Sequence, residues 1–386
     1  MKIITRRISG ELKSLSRQYP AVVITGPRQS GKTTLAKMSF PGLEYISLED
    51  PDIREAALSD PRIFLKNLTR GAIIDEIQNL PGILSYLQGA IDNKEIKGKI
   101  ILTGSSQFEL MKNVPQSLAG RAAILKLLPF CIEELKSFKE QSVPELILKG
   151  FYPRIYSEKQ QPFKAYRNYF ETYIQRDLRQ LINIKDISLF RKFVKLCAGR
   201  IGQIFAASSV ANDVGVSVTT VSSWLSILEA SFIIFMLEPY YENFGKRLIK
   251  SPKLYFYDTG LASYLLGIEH AAQLVRDPLR GGLFENLAVI ELLKKRYNAG
   301  LDHNLFFYRD SNGNEVDILF KKASAFNAFE VKSAETYSDS FSRGIAAVRK
   351  VFGKRLENSY VVYSGKAERE IKDIKLINIK NIGKYV

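Results

Sequence analysis

Along the first ~130 residues, short apolar runs alternate with amphipathic stretches, the pattern of a parallel α/β sheet with helices on both faces. Ala21–Thr25, Leu43–Leu48, Ala72–Asp75, Lys99–Thr103 and Ala122–Leu127 are predicted as its five strands. From about Pro144 to Arg200 the spacing turns helical: Tyr166, Tyr169, Phe170, Tyr173 and Ile174 recur at three and four residues, as a core-facing stripe does. Ser208–Asp213, a turn at Gly215 and Ser217–Ala230 read as a helix-turn-helix. The apolar Phe232–Leu237 then leads into a basic hairpin, Gly245–Lys253, which completes a winged-helix pattern. From Gly281 onward the order is helix, three strands, helix, strand. These shifts of period divide the chain at 1–135, 136–270 and 271–386.

Composition narrows the class. A chain of 386 residues exceeds what one hydrophobic core organises, so several domains are expected. With 46% hydrophobic and 25% charged residues it reads as an ordinary globular protein, and no run approaches the roughly 18 apolar residues of a membrane helix. Lys2, Arg6 and Arg7 are not followed by the apolar core of a secretory signal. Cys131 and Cys197 stand alone and His270 and His303 are the only histidines, which sets aside disulfide frameworks and Cys/His zinc sites. A cytoplasmic protein away from membranes is expected. The net charge of +16 favours an anionic partner such as DNA. The segment 149–200 carries 12 Lys and Arg against 4 Asp and Glu, so it is either a solvated helical face or, with the 245–253 hairpin, a polyanion surface.

The strongest chemical signal is the run Gly26, Pro27, Arg28, Gln29, Ser30, Gly31, Lys32, Thr33, between an apolar strand and the helical stretch that Thr34 opens. Glycines let such a loop wrap until backbone N–H groups point at phosphates, and the helix N-terminus adds positive potential. Lys32 is expected to reach the β and γ phosphates and Thr33 to ligate Mg²⁺, with ATP as the nucleotide. The apolar run Ala72–Ile74 is followed by two acids, which puts Asp75 beside Mg²⁺ and Glu76 where it polarises an attacking water. Lys99–Thr103 empties into small polar residues, so Thr103 or Ser105 is a candidate γ-phosphate sensor or part of an ordinary turn. Arg121, before the fifth strand, is a candidate arginine finger acting in cis or from a neighbouring subunit, with a structural ion pair as the alternative and Arg154 as the weaker candidate.

A third constellation lies near the C-terminus. Glu330 and Lys332 share one face of a strand, Asp317 lies on the strand before it, and Glu285 sits in the preceding helix Gly281–Tyr297. Acids that hold a divalent ion, with a lysine to orient water or steady pentavalent charge, suit metal-dependent phosphodiester cleavage. Asp317 and Glu330 are the candidate metal ligands. In the presumed recognition helix Ser217, Thr219, Thr220, Ser222 and Ser223 carry no positive charge, so sequence-specific readout by it is doubtful.

Together, Gly26–Thr33, Ile74–Gln78, Leu102–Gln107, Ser117–Arg121, Tyr173–Asp177 and Ser251–Gly260 resemble a prokaryotic family of P-loop ATPases in the AAA superfamily. Its members carry a winged-helix segment and a C-terminal restriction-endonuclease-like domain. The resemblance runs through nearly the whole chain. It implies an α/β fold in which an AAA-type P-loop parallel sheet is followed by a helical and winged-helix segment and then an α/β restriction-endonuclease-like domain. It also implies ATP binding at the loop and a nuclease fold around Glu285, Asp317, Glu330 and Lys332. Two functions follow as expectations: a self-associating ATPase acting on or near DNA, or a nucleotide-gated protein-interaction switch whose nuclease-like domain is inactive.

Overall fold

The computed structural model describes residues 3–105, 118–138, 141–177, 186–240 and 251–386. Strands β1 (Ala21–Thr25), β2 (Glu44–Ser47), β3 (Gly71–Asp75), β4 (Lys99–Gly104) and β5 (Ala122–Lys126) form a wholly parallel sheet in the order β2-β3-β4-β1-β5. Alternate strand residues face opposite ways. Val22 and Ile24 pack with Leu12 and Leu35 from the helices Ser9–Gln18 and Lys32–Ser39. Ala21 and Val23 pack with Leu84 and Leu87 from the helix Ile83–Asp92. Burial on both faces is why the inner strands β1, β3 and β4 read as unbroken apolar runs. The register sets Ser47 beside Asp75 and Ile24 beside Thr103, so the polar strand ends emerge at one edge.

The middle of the chain is helical. Tyr152, Tyr166, Tyr169 and Tyr173 are buried together, and the Tyr152 hydroxyl donates to that of Tyr169 at 3.0 Å. Asp258 lies beneath them and caps the helix Thr259–Leu265. It accepts from the Tyr166 hydroxyl (2.6 Å) and from the backbone N–H groups of Phe151 (2.7 Å) and Gly260 (2.9 Å). Gly150 has φ +60°, and a Cβ there would collide with both the Tyr166 hydroxyl and the Asp258 carboxylate. Gly150→Ala is therefore expected to lower stability by ~2–4 kcal/mol in denaturant unfolding, because neither buried neighbour can withdraw. A loss below about 0.5 kcal/mol would show that the tyrosine cluster gives way.

The helices Ala207–Val214 and Val218–Ala230 meet at Gly215, which takes φ +89°. The antiparallel pair β6 (Ile234–Leu237) and β7 (Lys253–Phe256) follows. Most of the basic hairpin expected between them, including Lys246, Arg247 and Lys250, lies outside the described residues. The helix Val218–Ala230 exposes Val218, Thr219, Ser222, Ser223, Ser226 and Glu229.

The C-terminal sheet is mixed and six-stranded, in the order β12-β13-β11-β10-β9-β8. Its strands are β8 (Leu305–Arg309), β9 (Glu315–Lys322), β10 (Ala325–Lys332), β11 (Leu356–Tyr363), β12 (Arg369–Ile371) and β13 (Ile374–Asn378). The sequence pattern did not anticipate β12 and β13 as a closing hairpin. Ile318, Phe329 and Val331 face the helix Arg280–Asn298, while Val316, Leu319 and Ala328 face the helix Arg343–Phe352. One continuous apolar cluster runs from Leu128 to Ile382, so the helical middle and the C-terminal sheet share a core. The first and third regions also touch directly: Lys294 donates to the Phe130 carbonyl (2.8 Å), and Glu291 accepts from the Ile132 N–H (2.8 Å). Among the described residues no helix is long and apolar enough to cross a membrane.

Candidate nucleotide site and acidic cluster

The loop after β1 is shaped by its backbone. Gly26 has φ +148° and lies so close to the Leu127 carbonyl that any Cβ would strike it. Gln29 (φ 64°) and Gly31 (φ 92°) take left-handed conformations, and the helix starts at Lys32. Pro27, Arg28 and Ser30 fill the turn between them. Lys32 is buried, and its ammonium donates to the Gly26 (3.1 Å) and Pro27 (3.0 Å) carbonyls inside the loop. Burial lowers its pKa to about 8 against the opposing pull of Glu76 and Asp75.

Asp75 gathers hydroxyls. Thr33 donates to it at 2.9 Å and Tyr45 at 2.8 Å, and Thr103 donates to its other oxygen. Thr33 and Asp75 thus converge as a hydroxyl and a carboxylate do around a hard cation, so these residues fit Mg²⁺. Glu76 turns away in a left-handed conformation (φ 54°). Its carboxylate accepts from Ser105 (3.1 Å) and from the Gln78 amide. Thr34 lines an adjacent cavity with Ile3, Met38, Phe130 and Pro153.

Three residues of this site have partners that the sequence pattern did not indicate. Arg6 is buried behind the loop and donates to the carbonyls of Ser30 (2.9 Å) and Leu128 (2.6 Å) and to Glu134 (3.2 Å). It sits twenty positions before the loop begins at Gly26, and no spacing links the two. Tyr45 looked only like a strand residue. Gln78, inside the Ile74–Gln78 motif, bridges Glu76 and Ser105 (3.3 Å).

Arg121 is not brought to this site within the chain. It precedes β5, whose first residue Ala122 lies beside Ala21, whereas the loop leaves β1 at Thr25 beside Lys126. Parallel strands share one direction, so Arg121 falls at the opposite sheet edge, roughly 16 Å away at about 3.3 Å per residue. There it clamps Asp92 at 2.6 and 2.9 Å. Arg154 pairs with Glu158 at 3.0 Å. Arg167 and Arg200 of the basic segment likewise pair with Glu171 and Asp213, which removes part of its free positive charge.

The C-terminal acids do converge. The β9–β10 ladder closes with Ile318 opposite Phe329, and beyond it the Asp317 carboxylate accepts the Val331 N–H at 2.7 Å. Lys332 lies 2.6 Å from Glu330 and 3.7 Å from Asp317. Glu285 approaches from its helix and meets Lys253 at 2.9 Å and the Tyr255 hydroxyl at 2.5 Å. Burial, then the Asp317 charge, raises the Glu285 carboxyl to about 7 and that of Glu330 to about 8. Lys253 corrects the expectation of a basic surface hairpin reaching that far. It is only 3% exposed and is bound by acids, because β7 carries it into the sheet.

No group of three or more His, Cys, Asp or Glu side chains among the described residues has the geometry to hold a metal ion. A cation here would therefore rest on Asp317 and Glu330 with other oxygens. Glu330 fits that role: its Oε2 is buried without a hydrogen-bond partner among the described residues.

Residues 18–136 match a family described as an AAA domain. Residues 140–272 and 280–382 match two domains of unknown function, DUF8612 and DUF4143. The protein Rv2008c of Mycobacterium tuberculosis is 30% identical over 380 residues, covering 97% of this chain and 83% of that protein. MJ1544 of Methanocaldococcus jannaschii is 25% identical, covering 82% and 75% respectively. Among solved structures, the Walker-type ATPase PABY2304 of Pyrococcus abyssi has a TM-score of 0.48 at 17% identity, over 69% of this chain and 98% of that one. With that extent of identity to Rv2008c, and with an AAA domain around the Gly26–Thr33 loop, the chain belongs to the Rv2008c family of AAA-type P-loop proteins.

Proposed function

We propose that this chain binds and hydrolyses ATP in segment 1–135 and acts on DNA through segments 136–270 and 271–386, the last carrying a metal-dependent nuclease site. The observation that supports the ATPase reading best is the meeting of Thr33, Tyr45 and Thr103 on Asp75 beside the buried Lys32. Residues more than forty positions apart meet there only because the strand ends share an edge. Lys32 leaves its own loop carbonyls for the β and γ phosphates, an exchange of neutral acceptors for anionic ones that favours binding. Thr33 and Asp75 would hold Mg²⁺, which supplies charge neutralisation on the phosphates when bound. Glu76, freed from Ser105 and Gln78, orients the attacking water and accepts its proton. A neighbouring copy that brought its Arg121 to the γ phosphate would complete the site across a subunit interface.

Glu76→Gln tests the assignment. It is expected to retain ATP binding within about twofold and to slow hydrolysis by ~10²–10⁴-fold, since it keeps shape and loses basicity. Steady-state phosphate release beside calorimetric binding measures both. Loss of binding instead would make Glu76 a structural residue.

At the C-terminus Asp317 and Glu330 would hold a divalent ion that activates the nucleophile, with Lys332 steadying the phosphodiester charge. A second reading, the nucleotide-gated protein switch, draws on the exposed face of the helix Val218–Ala230, which carries hydroxyls and Glu229 but no Lys or Arg. Duplex binding at two salt concentrations separates them, because phosphate contacts give a steep salt slope and protein-only function gives none.

A further inference from the structure

The cluster of acids contains a second lysine that the nuclease reading leaves without a role. Lys253 reaches it from β7, outside the C-terminal sheet. Its ammonium lies 2.9 Å from Glu285, 2.5 Å from Glu315 and 3.8 Å from Asp317. It is 3% exposed, and its ammonium stands 5.5 Å from the centroid of the Phe307 ring. A buried ammonium is costly unless acids surround it, so this charge is fixed where it stands. Tyr255, two positions on along β7, donates to the same Glu285 oxygen and holds the carboxylate toward the lysine. Glu285 and Glu315 are therefore committed to an internal cation. Asp317 gives one oxygen to that side, and its other faces Lys332 at 3.7 Å. Glu330, 8% exposed, shares Lys332 with Asp317 through its Oε1 and keeps its Oε2 buried without a hydrogen-bond partner among the described residues.

We propose that Lys253 is a positioning residue that occupies one of two cation positions in the acidic cluster, leaving room for a single divalent ion between Asp317 and Glu330. This rests on the metal-site reading above. In this arrangement the ammonium supplies the positive charge between Glu285 and Glu315 that a second ion would otherwise bring. A residue from the middle segment thereby completes the C-terminal site, and the reaction class narrows to one-metal phosphodiester chemistry with Lys332 as the mobile charge.

The test counts Mn²⁺ ions by electron paramagnetic resonance on the full chain, without nucleotide and with Asp75→Asn present throughout to silence the loop site. With Lys253 intact, one ion per chain is expected, and added Asp317→Asn removes it. Lys253→Met, which keeps the apolar stem, is expected to bind two. Lys253→Arg restores the charge and returns the count to one, a rescue that a merely structural lysine would not give. Two ions with Lys253 present, or one ion in a folded Lys253→Met chain, overturns the proposal. No ion with Lys253 present removes the metal-site reading itself along with the proposal. If Lys253→Met fails to fold, the count with Lys253 present decides between one ion and two.

Discussion

Lys32→Ala is expected to abolish measurable ATP binding in titration calorimetry. Arg28, the loop's other cation, stacks over the Tyr173 ring, which leaves Lys32 as the ammonium held inside the loop, and each charge-assisted hydrogen bond to phosphate contributes about 1.5–3 kcal/mol. Two such bonds lost correspond to a weakening of at least ~10²-fold. The pH dependence provides an independent arm. Burial holds Lys32 at about 8 in the free protein, and bound phosphates raise it. Affinity is therefore greatest below pH 8, where the ammonium is already formed. It falls as pH rises through 8, with one proton taken up on binding. Heats measured at pH 9 in buffers of different ionisation enthalpy should reveal that proton. Unchanged affinity in Lys32→Ala would remove the nucleotide site from this loop.

Asp317→Asn is expected to lower Mg²⁺- or Mn²⁺-dependent DNA cleavage by at least ~10²-fold while ATP hydrolysis stays within about twofold. The amide oxygen still accepts the Val331 N–H, so the strand junction persists and only the charge is lost. A parallel fall in both activities would mean that Asp317 supports the fold rather than the cleavage site. No cleavage of DNA or RNA by the unmodified chain with either metal would shift the function to the nucleotide-gated switch.

The nucleotide loop was legible because its parts are local. Gly26, Gly31, Lys32 and Thr33 lie within one strand-to-helix turn, and hydrophobic runs marked all five strands to within about two residues. Asp75 and Glu76 were legible for the same reason, as acids at the end of an apolar strand. Arg121 shows where local pattern stops. Its position before β5 is plain in the sequence, but strand direction and order decide that it faces Asp92 at the far edge rather than the loop.

By itself the sequence determined the parallel sheet, the phosphate loop, the core stripe Tyr166–Ile174 and the shared strand of Glu330 and Lys332, whereas the register shift opposite Val316–Leu319 decided how Asp317 stands. Each of the former follows from a period of two or 3.6 residues or from one contiguous turn. Tertiary structure alone decided that Arg6 braces the Ser30 carbonyl, that Tyr45 reaches Asp75, and that Lys253 leaves the expected basic hairpin for the acids of the C-terminal sheet. Those contacts join residues 24, 30, 32 and 62 positions apart. No period relates positions that far apart; only the packing of one element on another brings them within hydrogen-bonding distance, and burial then makes the pairing of each charge obligatory.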